Sequence, residues 1–273
     1  MNYLMYFLIL CMGTVFGSFF TLAVHRIPLR QNITHKRSYC PNCNHKLAFL
    51  DMIPILSYLF LGGKCRYCKK EIKLRYILLE LLSGVVFLLF AVSIKFSVFT
   101  LNQDILVYIL FGILYISTLF IIAGIDRENI RIEKPVLLFG FICVTLYMVY
   151  LYIVEQDSSI YRYVIYMFII CILMTINTIY LRRKTKDNYV IDILLLSILL
   201  ITFTYEVVYI YTVIFTLLSI SIHPLLHNGL NKKIKSHYIK VDKSNSEKIP
   251  IGFYMCISNI MALILSNFMI FYL

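Results

Sequence analysis

"DILVYILFGILYISTLFIIAGID", residues 104–126, holds no charged residue between the aspartates at its two ends. A bilayer's hydrocarbon core of about 30 Å takes about 20 apolar residues of helix, so this stretch reads as a membrane span ending at Asp126. Working outward, comparable stretches lie at 3–24, 76–97, 135–154, 160–181, 190–204, 207–222 and 250–272. The sixth and seventh spans are short and only Tyr205-Glu206 divides them, so eight spans are expected, with seven as the alternative. The chain of 273 residues is 60% hydrophobic, with a mean hydropathy of +0.82. This composition indicates an all-α, polytopic membrane protein rather than a soluble domain. No internal repeat or low-complexity segment stands out.

The formal charge of +12 is not spread evenly. Of the 26 Lys and Arg residues, 24 lie in four loops, 26–75, 126–134, 182–187 and 223–249. With eight spans all four loops share one side. The positive-inside rule makes that side cytoplasmic and leaves both termini outside a plasma-membrane protein. The basic charge therefore reads as topology and attraction to lipid headgroups, not as nucleic-acid binding. The first span lacks a basic n-region and a small-residue cleavage site, so it reads as a retained helix rather than a signal peptide.

The first loop carries "CPNC" at 40–43 and "CRYC" at 65–68. Two C-x-x-C turns can grip one ion between four thiolates, which makes Cys40, Cys43, Cys65 and Cys68 candidate ligands of a structural zinc. Two disulfides or four free thiols are the alternatives, and a reducing compartment disfavours the disulfides. A closed four-sulfur site leaves no open position for catalysis. The remaining cysteines, 11, 143, 171 and 256, sit in apolar spans as packing residues. Between the knuckles runs "HKLAFLDMIPILSYLFLGGK" (45–64), too short and interrupted to cross a bilayer. It is expected on the membrane surface or against the helices, with Asp51 as a helix N-cap or a functional acid.

Ionisable groups inside spans usually face a cavity, a partner or a site. Asp126 ends the third span and Asp192 begins the sixth, "NYVIDILLL" (188–196). In the expected topology they are level in depth at the cytoplasmic ends of their helices. Two carboxylates sharing one proton form the machinery of an aspartyl peptidase; the alternative is a helix-end or headgroup role. Glu80, in "RYILLELLSG" (75–84), could pair with Arg75 or Lys73, or line the same cavity.

The sequence resembles the bacterial type IV prepilin peptidases, membrane aspartyl peptidases of the GxGD type. The resemblance rests on "GSFFTLAVHRIP" (17–28), the paired C-x-x-C, "IKLRYILLELLSG" (72–84), "GIDRENIRI" (124–132) and "KIPIGFYMCISNIMALIL" (248–265). It implies a first helix at 1–24, a cytoplasmic zinc-binding loop at 25–75 and a peptidase bundle at 76–273. It also implies removal of the leader of prepilins and pseudopilins at the cytoplasmic face, then N-methylation of the new terminus with S-adenosylmethionine.

By that likeness Asp126 is the first catalytic aspartate and Asp192 the second, with Asp187 in "KTKD" as an alternative. The family's second motif, G-x-G-D, reads Tyr189-Val190-Ile191-Asp192 here, so both glycines are lost. The alternative function is a degenerate relative that binds pilins or pilus-assembly components without cutting. A transporter with Asn177, His223 and Asn259 along its path is a further rival, but the paired halves such folds favour are not visible.

Overall fold

The computed structural model describes residues 2–33, 38–40, 42–97, 102–155, 164–166, 168–169, 171–172, 175–176, 189–234 and 249–272. Among them, seven α-helices follow in chain order. They are α1 Asn2–Arg26, α2 Leu56–Phe60, α3 Arg75–Ser93, α4 Gln103–Asn129, α5 Lys134–Glu155, α6 Tyr189–Ile234 and α7 Ile251–Tyr272. Strand-like pairing among the described residues is limited to two isolated bridges, Tyr39 with Lys46 and Lys64 with Glu71. All the helices except α2 are long and apolar enough to cross a membrane, so this is a multi-pass, all-α protein. The span expected at 160–181 falls largely outside the described residues, as does Asn177.

The chain forms two compact units, Met1–Gly124 with Asn267–Leu273, and Ile125–Ser266. In the first, α1 and α3 meet along a seam of small residues. A Cβ placed on Gly13 would lie 2.8 Å from the Gly84 Cα, and one on Gly17 would lie 2.7 Å from the Glu80 Cα. The Ser83 hydroxyl donates to the Gly13 carbonyl across the seam at 2.8 Å. Lipid tails are as apolar as leucine, so close backbone approach rather than a hydrophobic drive joins such helices. Phe20 stacks on Phe120 of α4, with ring centroids 5.5 Å apart. Helix α3 stops at Ser93, short of the expected residue 97, because Lys95 adopts a left-handed φ of 51°. Its ammonium then sits 4.3 Å from the centre of the Tyr272 ring.

In the second unit, α6 presents Leu195, Leu196, Leu199 and Leu200 as a fully buried stripe, the spacing of one helical face. Phe203, one turn on, meets Tyr147 of α5 at 5.4 Å between ring centroids. The helix is interrupted at Tyr205, whose φ 64°, ψ 162° is a region normally reserved for glycine. The Asn259 amide donates to the hydroxyls of both Thr204, at 3.2 Å, and Thr212, at 3.1 Å. Residues eight apart in a straight helix lie about 12 Å apart along the axis, too far for one amide to reach both. The chain therefore turns sharply at Tyr205, inside the Tyr205-Glu206 division expected from sequence. Asn259 thus links the two arms. His223 lies in the backbone of the second arm.

Candidate active site and metal centre

The first unit carries the four-cysteine cluster, and its two knuckles repeat one local design. Asn44 N–H donates to the Cys40 carbonyl and Lys69 N–H to the Cys65 carbonyl, at 2.8 and 3.0 Å. Cys40 N–H then pairs with the His45 carbonyl, and Cys65 N–H with that of Lys70, at 3.0 and 2.9 Å. Asn44 and Lys69 close the turns with φ of 56° and 59°. His45 of the first knuckle packs on Tyr67 of the second, with ring centroids 3.6 Å apart.

The four sulfurs lie within 4.8 Å of one another. Cys40 and Cys68 are 3.9 Å apart, far beyond a disulfide bond of about 2.05 Å. Tetrahedral zinc at about 2.3 Å from each thiolate needs sulfurs about 3.8 Å apart, so the donor set fits that ion. The electrostatics differ from one sulfur to the next. Donation from the Lys70 N–H, and then from the Asn42 amide, holds the Cys68 thiol down to about 6. Burial pushes Cys40 up, but the N–H groups of Cys43 and Asn42 outweigh it and leave that thiol below its ordinary value. For Cys43 the His45 N–H favours the thiolate, yet desolvation and the neighbouring Cys40 and Cys68 sulfurs push it up to about 11. Like charges oppose one another until a cation sits among them.

The acids near this loop make contacts within it and to α3. Asp51 sits third in the short 3₁₀ turn Phe49–Met52, whose N-cap is Ala48. Its carboxylate reaches back to the Ala48 N–H at 3.2 Å and ion-pairs with the Arg66 Nε at 2.7 Å. The N-cap expectation is thus corrected by one turn. Glu80 accepts the Ile55 N–H at 2.8 Å and the Ser18 hydroxyl.

The second unit carries the carboxylates. Asp126, near the C-terminal end of α4, is fully buried. Its Oδ2 accepts the Tyr189 hydroxyl and the Phe253 N–H, each at 2.9 Å. The Gly252 N–H in turn donates to the Tyr189 oxygen at 3.3 Å. Gly252 and Phe253 lie in the first turn of α7, where N–H groups have no helical partner and the dipole favours an anion. Pro250, immediately before this helix, has no N–H to leave unpaired. A Cβ on Gly252 would come within 3.0 Å of Asp126 Oδ2, so glycine is what lets α7 approach. Asp126 Oδ1, also buried, has no hydrogen-bond partner among the described residues.

Asp192 is 3% exposed and lies in the first turn of α6. It follows Tyr189 by three residues, so the two side chains share a helix face. The structure therefore connects the helix of Asp192 to Asp126 through the residue that stands where the motif's first glycine would be. Asp187 lies outside the described residues. Sequence reading treated Tyr189 only as a lost glycine and missed its hydroxyl. The available signal was its position one turn before Asp192.

Comparison with known proteins adds an independent line. Residues 11–94 match the family model described as the bacterial peptidase A24 N-terminal domain. A prepilin leader peptidase/N-methyltransferase of Klebsiella pneumoniae is 37% identical over 123 residues, 43% of this chain and 50% of that one. The protein of the same name from Vibrio cholerae is 30% identical over 157 residues, 53% and 58% of the two chains. That of Myxococcus xanthus is 46% identical over 76 residues, 28% and 23%. The chain thus spans about half or less of the length of these curated relatives. No solved structure matches it.

Proposed function

We propose that this chain is a membrane aspartyl endopeptidase that removes the leader peptide of type IV prepilins at the cytoplasmic face of the plasma membrane. Asp126 and Asp192 form its catalytic pair. The observation that carries this reading is the buried Asp126 carboxylate. One of its oxygens is held by Tyr189 and the first turn of α7, while the other is left for a reacting partner. A carboxylate serving only as a helix cap would need no second carboxylate one turn from its tyrosine partner.

In this mechanism the two acids share one proton and titrate as a pair. The ionised member takes a proton from water as its oxygen attacks the scissile carbonyl. The protonated member donates to the oxygen that gains negative charge. Zinc at Cys40, Cys43, Cys65 and Cys68 would hold the loop's shape; with all four positions taken by sulfur it activates no water. The topology that supports the cytoplasmic face is the concentration of Lys and Arg in the four loops.

N-methylation of the trimmed end is the companion activity in the relatives' name. S-adenosylmethionine is its donor by resemblance.

The test is cleavage of a membrane-embedded prepilin by the purified, metal-loaded protein in liposomes, beside the Klebsiella pneumoniae relative. Release of the leader at one bond supports the reading. Failure with a substrate that the relative cuts contradicts it.

A further inference from the structure

The stretch 49–60 between the knuckles has the composition of a core and the exposure of a surface. Phe49, Leu50, Leu56, Leu59 and Phe60 are all exposed, Phe60 at 85%. An apolar face of this kind marks an interaction site. It is also held firmly from behind. Asp51 ties it to Arg66 of the second knuckle, and Glu80 receives the Ile55 N–H at the start of α2.

The second tie fixes a depth. Glu80 lies five residues inside α3, about 7.5 Å along its axis from Arg75. The same level of α3 packs on Gly17 of α1, nine residues before Arg26, the last residue of that helix. The start of α2 is therefore held at the first turns of α3, on the level where α3 meets α1. An interfacial helix buries its apolar face about 5–10 Å into the headgroup and acyl-chain boundary, which is this depth.

The charges agree with lipid as the occupant. Residues 47–63 hold one charged side chain, the inward-turned Asp51, and exposed Lys46 and Lys64 bracket them at either end. Lysines in that position bury their stems and reach headgroup phosphates. We infer that residues 49–60 are an interfacial element whose apolar face is embedded in the bilayer, docking the metal-binding loop flat on the membrane surface. Through Asp51 and Arg66, lipid then sets the orientation of the second knuckle.

The chain has no tryptophan, so a single introduced one is a clean reporter. Phe60→Trp and Leu59→Trp, each in the full chain in lipid nanodiscs, are compared with Glu71→Trp, at an exposed acidic position outside the bracketed stretch, as the water-side control. Metal content checks that each variant keeps its fold. Lipids brominated near the headgroup end of the acyl chain should quench positions 59 and 60 by about twofold and leave 71 unchanged. Aqueous iodide should show the reverse. Iodide quenching at 59 and 60 would overturn the inference, because the face would then be in water. Shielding from both quenchers would overturn it too, because protein would cover the face.

Discussion

The metal loop and the carboxylate site place their chemistry on very different spans of chain. In each knuckle the second cysteine's sulfur accepts an N–H two residues on, so four cysteines and their spacing contain nearly the whole centre. Asp126 is completed by Tyr189, 63 residues away, and Phe253, 127 residues away. A local site keeps its signature because changing any member breaks the turn. A long-range site can exchange partners while the contact survives. Here a tyrosine hydroxyl fills the place where the resemblance expects glycine.

The sharpest break of that comparison is Asp126→Asn. Asparagine still offers an oxygen to Tyr189 and Phe253, so helix α7 stays capped and the fold is kept. Leader cleavage should fall by about 10²–10⁴-fold, the range for losing a general acid or base. Near-normal turnover in a peptide-release assay would reduce Asp126 to a cap.

Cys65→Ser attacks the local side. It should remove the metal and lower the stability of the first unit by about 4 kcal/mol or more, because metal binding and folding of such loops are one process. Metal analysis with a thermal melt reads both. A variant that binds zinc at full stoichiometry would mean that the site is not a four-sulfur one.

Tyr189→Phe probes the exchanged partner. It takes a donor from Asp126 and an acceptor from the Gly252 N–H, leaving buried groups short at about 1–3 kcal/mol. Activity should drop without vanishing. Wild-type stability and rate together would show that the hydroxyl contributes nothing.

The smallest effect belongs to Asn259→Ala, which unpins the two arms at Tyr205. Hydrogen bonds between membrane helices are worth about 0.6–1.7 kcal/mol, so a modest fall in the melting midpoint is expected, with the cleavage site unmoved. No fall would assign the turn to Tyr205 and its neighbours alone.

Legibility followed the same division. The apolar helices other than the span expected at 160–181, the paired knuckles and the break near Tyr205 could be read because hydropathy and C-x-x-C spacing are local signals. Asp51 was misplaced by one turn because its strongest partner, Arg66, lies fifteen residues on, in the other knuckle. Glu80 could be flagged but not explained, since Ile55 offers it a backbone N–H that no side-chain pattern announces. Gly252 could be seen only as part of a segment; the reason for glycine there is the Asp126 oxygen 3.0 Å from where its Cβ would be.

We propose Asp192, not Asp187, as the second catalytic acid. The most direct test compares Asp192→Asn with Asp187→Asn in one prepilin cleavage assay, using metal-loaded protein of verified fold. The first should be inactive and the second should cut at the wild-type rate. Loss of cleavage in Asp187→Asn with activity kept in Asp192→Asn would contradict it.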